Sequence, residues 1–142
     1  MELERNTNEQ KELVQEEFPL VKKTLVYISH PSGGLEENTK DIERIVEALY
    51  NDDELFEKFS FVSPVHCYGF MYDTYEKNYL KGLQFCLDLL LNCDRMLVFG
   101  DHTSSRGCTR EIEVANEKGI KYLCFKDTSD MEAVISKIKE LL

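Results

Sequence analysis

Four short, unbroken apolar runs separated by stretches of helical periodicity constrain this chain more than any other feature. Thr24-Leu-Val-Tyr-Ile-Ser29, Phe59-Ser-Phe-Val62, Arg95-Met-Leu-Val-Phe99 and the segment Ile120 to Phe125 lack the polar alternation of a strand with one wet face. Such runs fit strands buried on both faces, as parallel strands are. Between them, Asn38 to Tyr50 carries Ile42, Ile45, Val46 and Leu49 at helical spacing, and Tyr75 to Asn92 carries a stripe of Leu80, Leu83, Leu87 and Leu90/Leu91. Thr109 to Lys118, closed by Gly119, and a last segment N-capped by Ser129 and running through Leu141 read as two further helices. Strands alternating with helices predict right-handed βαβ units, hence an α/β chain with a mostly parallel sheet of roughly four to five strands. Residues 64–74, PVHCYGFMYDT, read as a long aromatic loop after a strand stopped by Pro64. Residues 1–22 read as a polar or helical extension, and residues 23–142 as one domain.

Composition narrows the partners. The 142 residues include 17 Lys+Arg against 27 Asp+Glu, a net charge of −10 with His neutral. A field of that sign repels a polyanion, so a nucleic acid polymer is not expected, although one small anion held by backbone amides escapes the argument. No stretch approaches the ~20 apolar residues of a membrane span. The first 22 residues lack an apolar signal core, and five Cys (67, 86, 93, 108 and 124) form no CxxC pair. A cytoplasmic protein with reduced thiols is the expectation, with Cys86, Cys93 and Cys124 filling core space. His30, His66 and His102 are scattered, so no metal site is expected.

Open α/β sheets bind ligands outside the carboxyl ends of their strands, which here carry the loops 30–34, 64–74, 101–107 and 126–128. The segment Ser105-Arg-Gly-Cys-Thr-Arg-Glu111 is the most informative. Unpaired amides at a helix start, with Gly107 and the Ser104 or Ser105 hydroxyl, make a pocket for a phosphate or carboxylate. Glu111, read as lying in the first turn of that helix, is expected to be ionised by the helix dipole and able to attack a bound sugar. The same Ser-to-Glu spacing also describes a simple helix cap. The loop Ser29-His30-Pro-Ser32-Gly33-Gly34 is neither a dinucleotide fingerprint nor a P-loop, but can offer backbone amides. Tyr68, Phe70, Tyr72 and Tyr75 offer a wall for stacking a base, or ordinary packing. Asp94 reads as a helix-to-strand connector.

Taken together, Tyr27-Ile-Ser-His-Pro-Ser-Gly-Gly34, Asn38, Ser63-Pro-Val-His66, Cys93-Asp94, Val-Phe-Gly100, Ser105-x-Gly107 and Glu111-Ile…Ala115 resemble the nucleoside 2-deoxyribosyltransferase superfamily, most closely its uncharacterised deoxyribosyltransferase-like branch from bacteria and their phages. The similarity spans residues 24–126. It implies a three-layer, Rossmann-like sandwich of flavodoxin type, assembled as a homodimer or larger homo-oligomer, and cleavage of the N-glycosidic bond of a nucleoside or nucleotide without a cofactor. By position, the resemblance implies Glu111 as nucleophile and Tyr27 as the residue that orients it. It also implies Ser105 and Gly107 as phosphate ligands, and the Gly33-Gly34 loop at sugar and phosphate. Ser29, His30, Ser32, His66, Asp101 and Ser104 join this set as binding candidates. The sequence departs from the family at the acid that protonates the leaving base, where Cys86 stands in place of an Asp. Asp88 and Asp73 are the carboxyls nearest that role, but Asp88 is turned ~200° around the helix from position 86 and cannot simply substitute, which leaves Asp73 or a residue from a partner subunit.

Two alternatives stand beside cleavage. One is a binder that sequesters or senses a nucleotide or a signal derived from one, keeping the pocket without the acid. The other is a Toll/interleukin-receptor-like domain that cleaves NAD, suggested by the Val-Tyr-Ile-Ser-His opening.

Overall fold

The expected apolar runs become the four strands β1 (Thr24–Ser29), β2 (Phe59–Val62), β3 (Arg95–Phe99) and β4 (Lys121–Phe125). The computed structural model describes Asn8, residues 20–72 and residues 76–142. All strand pairs are parallel, in the order β2-β1-β3-β4. The register sets Tyr27 beside Val62 on one flank and beside Met96 on the other. The helices are α1 (Glu36–Tyr50), α2 (Asp53–Lys58), α3 (Pro64–Tyr68), α4 (Glu76–Leu91), α5 (Arg106–Lys118) and α6 (Met131–Leu141). Short 3-10 turns at Gly69–Met71 and His102–Ser104 complete the described elements.

Side chains alternate across the sheet, so each central strand feeds two cores. Val26, Ile28, Leu97 and Phe99 pack with Ile42, Ile45 and Leu49 of α1, Leu55 of α2, and Val134 and Ile138 of α6. Tyr27, Met96 and Val98 face the other way, against Cys86, Leu87 and Leu90 of α4 and Val114 and Ala115 of α5. Leu97 and Leu90 are fully buried, and burying each such side chain stabilises the fold by about 1.5–3 kcal/mol. The result is the expected three-layer α/β sandwich, with four strands in the first four positions of flavodoxin-type order.

Several local expectations change. Residues 64–68 are helix α3, not loop: Pro64 sits at its first position, where the missing N–H costs nothing. The last helix is capped by Asp130, whose side chain accepts from Ala133 N–H, rather than by Ser129. α5 begins at Arg106, three residues earlier than the periodicity suggests, because Ser105 caps it by accepting from Cys108 N–H at 3.2 Å. On α4 the buried face is Gly82, Cys86, Leu87 and Leu90, while Leu80 and Leu91 are about half exposed. Cys124 is exposed because β4 is an edge strand, and Cys108 is buried in its stead. Among the residues expected as an N-terminal extension, only Asn8 and residues 20–22 are described, so Leu13, Val14 and Phe18 lie outside the described residues, as does Tyr75 at the expected start of α4.

Gly119 ends α5 in the left-handed conformation at φ 70°, with open space where a Cβ would lie. Gly119→Ala will therefore lower stability by about 1 kcal/mol through backbone strain alone, readable as a lower urea midpoint with an unchanged slope.

Candidate functional site

Strand order turns back between β1 and β3, since β1 leads to β2 on one side and β3 to β4 on the other. At such a switch point the loops leaving the two carboxyl ends diverge and open a crevice. A narrow cleft bordered by His30, Gly33, Tyr72, Ser105 and Glu111 lies there. Glu111 of α5 lines its floor, held from beneath by side chains that the two-residue period of β1 sends toward that helix.

Tyr27 and Ser29 sit two residues apart on one face of β1, and α5 lays Glu111 between them. The Glu111 carboxylate accepts a short hydrogen bond from Tyr27 Oη and another from Ser29 Oγ at 2.9 Å. Glu111 is 6% exposed, and Tyr27 and Ser29 are fully buried. Burial pushes the Glu111 carboxyl from 4.5 up to about 7, and its two hydrogen bonds pull the other way. The dipole argument from sequence is thus reversed. Glu111 lies in the second turn of α5, beyond the reach of the free amides, and desolvation decides its charge. Tyr27 is held neutral by burial and by the neighbouring carboxylate.

The first loop is a tight turn over this floor. Gly33 and Gly34 both take positive φ, 56° and 73°, closing a turn in which Leu35 N–H donates to Ser32 O at 3.0 Å. Asn38 Nδ2 donates to the same carbonyl. His30, whose side chain is 5% exposed, lies with Nε2 2.8 Å from Asp41 Oδ2 and Nδ1 2.6 Å from Pro31 O. Burial would raise the Asp41 pKa, but hydrogen bonds from His30 and Arg44 hold it low. Arg44 also donates to Thr128, so one network ties the loop after β1 to α1 and to the loop after β4.

Of the sequence candidates, His30, Ser32, Gly33, Ser105, Gly107 and Glu111 line the cleft, with Tyr27 and Ser29 beneath it. Ser104 lines an adjoining groove that shares Ser32, Gly33, Tyr79 and Ser105 with the cleft, and that Arg106 and Asn38 also border. Gly34 shapes the turn but lines neither space. Three described candidates are not brought in. Asp88 is exposed and accepts from Gln84 on its own helix. His66 is exposed, bonded to Ser63 and Glu43 beside a separate shallow groove. Asp101 caps the 3-10 turn after β3, accepting from Thr103. Asp73 lies outside the described residues. Among the described residues, no group of three or more His, Cys, Asp or Glu is placed to hold a metal ion.

The expected aromatic wall is only partly present. Tyr72 lines the cleft, whereas Tyr68 packs on Phe85 and Phe70 is exposed. Tyr79 is a wall residue not anticipated from sequence; its spacing to Leu83 and Cys86 on α4 is the signal that would have found it. Its ring meets Tyr72 at 5.2 Å between centroids, and Arg106 lies over it at 4.9 Å while bonded to Glu76. Cys86 and Cys108 also line the cleft, as neutral thiols; burial pushes Cys86 up to about 11. Asp94 is structural: its carboxylate accepts from Leu25 N–H and its own N–H donates to Leu25 O, both at 2.8 Å.

A family profile described as a domain of unknown function, DUF7768, matches residues 24–125. No curated protein matches the sequence. Among solved structures, the 2-deoxyribosyltransferase of the psychrotolerant bacterium Bacillus psychrosaccharolyticus is similar with a TM-score of 0.54 at 16% identity, over 80% of this chain and 81% of that one. A likeness at that identity carries the fold.

Proposed function

The chain belongs to the DUF7768 family, and we propose that it cleaves the N-glycosidic bond of a nucleoside or nucleotide, releasing the base to water or exchanging it for another. The observation that carries this reading is a single buried carboxylate, Glu111, fixed by Tyr27 and Ser29 on the floor of a cleft at the sheet's switch point. Fold similarity to a 2-deoxyribosyltransferase supports it at the level of architecture. In the proposed reaction Glu111 attacks C1′ as the base departs, and water or a second base resolves the glycosyl ester. Tyr27 and Ser29 hold the carboxylate in one orientation, which shortens the search for the attack geometry.

Ser32, Gly33, Ser104 and Ser105 border the adjoining groove at the start of α5 and suit a 5′-phosphate there, with Gly107 at the cleft side. One phosphate needs no basic patch, so the acidic surface is compatible with a nucleotide. A homo-oligomer remains part of the proposal.

Incubation with a panel of nucleosides and 5′-monophosphates, followed by chromatography of free base, tests the reading. Release by wild type that is lost in Glu111→Gln supports it; no release from any substrate ends it. Asp88→Asn will leave the rate within about twofold, since Asp88 faces solvent away from the cleft. One observation favours a second reading, binding without turnover: among the described residues Glu111 is the only carboxyl lining the cleft, and Cys86 occupies the facing helix. Calorimetry that finds tight binding of a nucleotide recovered intact after long incubation would select it.

A further inference from the structure

A departing base carries away the electron pair of the C1′–N bond and needs a hydrogen-bond donor to receive it. Among the described residues, the one carboxyl of the cleft is Glu111, which the sugar occupies in the proposed reaction. The wall facing it holds Tyr72, and three features fix that side chain in place. Gly82 is a buried glycine inside α4, where alanine would favour the helix more. A Cβ there would lie 2.7 Å from Tyr72 Cε1, so the missing side chain is the seat of the Tyr72 ring. Cys86, one turn further along α4, places Sγ 3.0 Å from Tyr72 Oη. Tyr79 supports the ring from the side.

We propose that Tyr72 is the leaving-base donor, a catalytic residue whose phenol hydrogen-bonds the base as the glycosidic bond breaks. This assignment rests on the glycosidase reading above. Cys86 Sγ and Tyr72 Oη lie 3.0 Å apart and either can donate; when the neutral Cys86 thiol donates its S–H, the phenol proton is free to face the cleft. Burial raises the Tyr72 pKa above the ordinary value, which suits a donor that keeps its proton and stabilises charge on the base. The atoms balance as follows. A Glu111 carboxylate oxygen bonds to C1′ and the C1′–N pair leaves on the base, which is held by Tyr72. The base takes a proton from water, and the hydroxide so formed attacks C1′, giving the free sugar and restoring the Glu111 carboxylate.

The test compares substrates whose bases depart with different ease: 2′-deoxyguanosine against its N7-methyl derivative, and 2′-deoxyuridine against 5-fluoro-2′-deoxyuridine, each with and without a 5′-phosphate. Tyr72→Phe keeps the ring on Gly82 and removes only the donor. It will slow base release about ten- to hundredfold on the first member of a pair, and within about threefold on the second. Gly82→Ala, which displaces the ring, will show the same selective loss. Equal losses on both members, no loss on either, or the selective pattern appearing in Asp73→Asn instead of Tyr72→Phe would overturn the assignment. A wild type that releases no base from any of these substrates overturns the glycosidase reading itself, and this inference with it.

Discussion

Glu111→Gln will lose base release by at least ~10³-fold and will make the protein more stable at neutral and alkaline pH. The first effect follows from removing the attacking oxygen while keeping the shape of the side chain. The second follows from burial. The folded-state pKa of Glu111 is about 7 against an ordinary value of 4.5, so the native state favours the protonated form. The stability this contributes is complete below about 4.5 and is lost as pH rises through about 7. Over that window the native state comes to hold a desolvated carboxylate, at a cost of roughly 3 kcal/mol. Glutamine cannot ionise and is exempt. The stability gap between variant and wild type, measured by urea unfolding, will be roughly 2–3 kcal/mol larger at pH 8 than at pH 5. A constant gap would mean that Glu111 is not the group that titrates.

Tyr27→Phe will move the pH dependence of base release upward. Attack requires the ionised carboxylate, so in wild type kcat/KM will rise about tenfold per pH unit up to about 7 and then level. The hydrogen bond from Tyr27 stabilises that ionised form, and losing one to a charged group costs ~1.5–3 kcal/mol. The midpoint will therefore rise by about 1–2 pH units, and the rate at pH 7, where the wild-type carboxyl is half ionised, will fall about 5- to 50-fold. Raising the pH will recover much of it. The phenylalanine ring still fills the core beside Met96 and Val98, so the fold survives. A lower plateau with an unmoved midpoint would show that Tyr27 does not act through the charge of Glu111.

Both predictions turn on a contact visible in part from the sequence. The family resemblance marks Tyr27 and Glu111 as partners and Ser29 as a binding candidate, and the sheet's switch point brings the end of β1 beside α5. The spacing of Tyr27 and Ser29 already put them on one face of β1. Nothing local, however, shows how deep Glu111 sits. Periodicity alone starts α5 at Thr109 rather than Arg106, which puts Glu111 in the first turn and weights the dipole over desolvation.

The misses share a cause. Pro64 reads from sequence as a strand stop and is in the structure a helix start, since proline's fixed φ suits both roles and only the following backbone tells them apart. Leu80 fitted the helical stripe but faces solvent, and Tyr79 beside it turns inward, because a stripe's edge is set by what packs on it. Gly82 lacks any local signal for its role, which is to leave room on α4 for the ring of Tyr72.

The sequence by itself determined the strands, their parallel pairing and the chain's three layers. Unbroken apolar runs and helical periodicity are local patterns, and burial on both faces leaves them few arrangements. Tertiary structure alone decided which polar groups meet and how much water they keep. Those depend on contacts across dozens of residues, from β1 to α5 and from the loop at Tyr72 to α4. At Glu111 that difference separates an exposed, ordinary carboxylate from a buried one poised near neutrality.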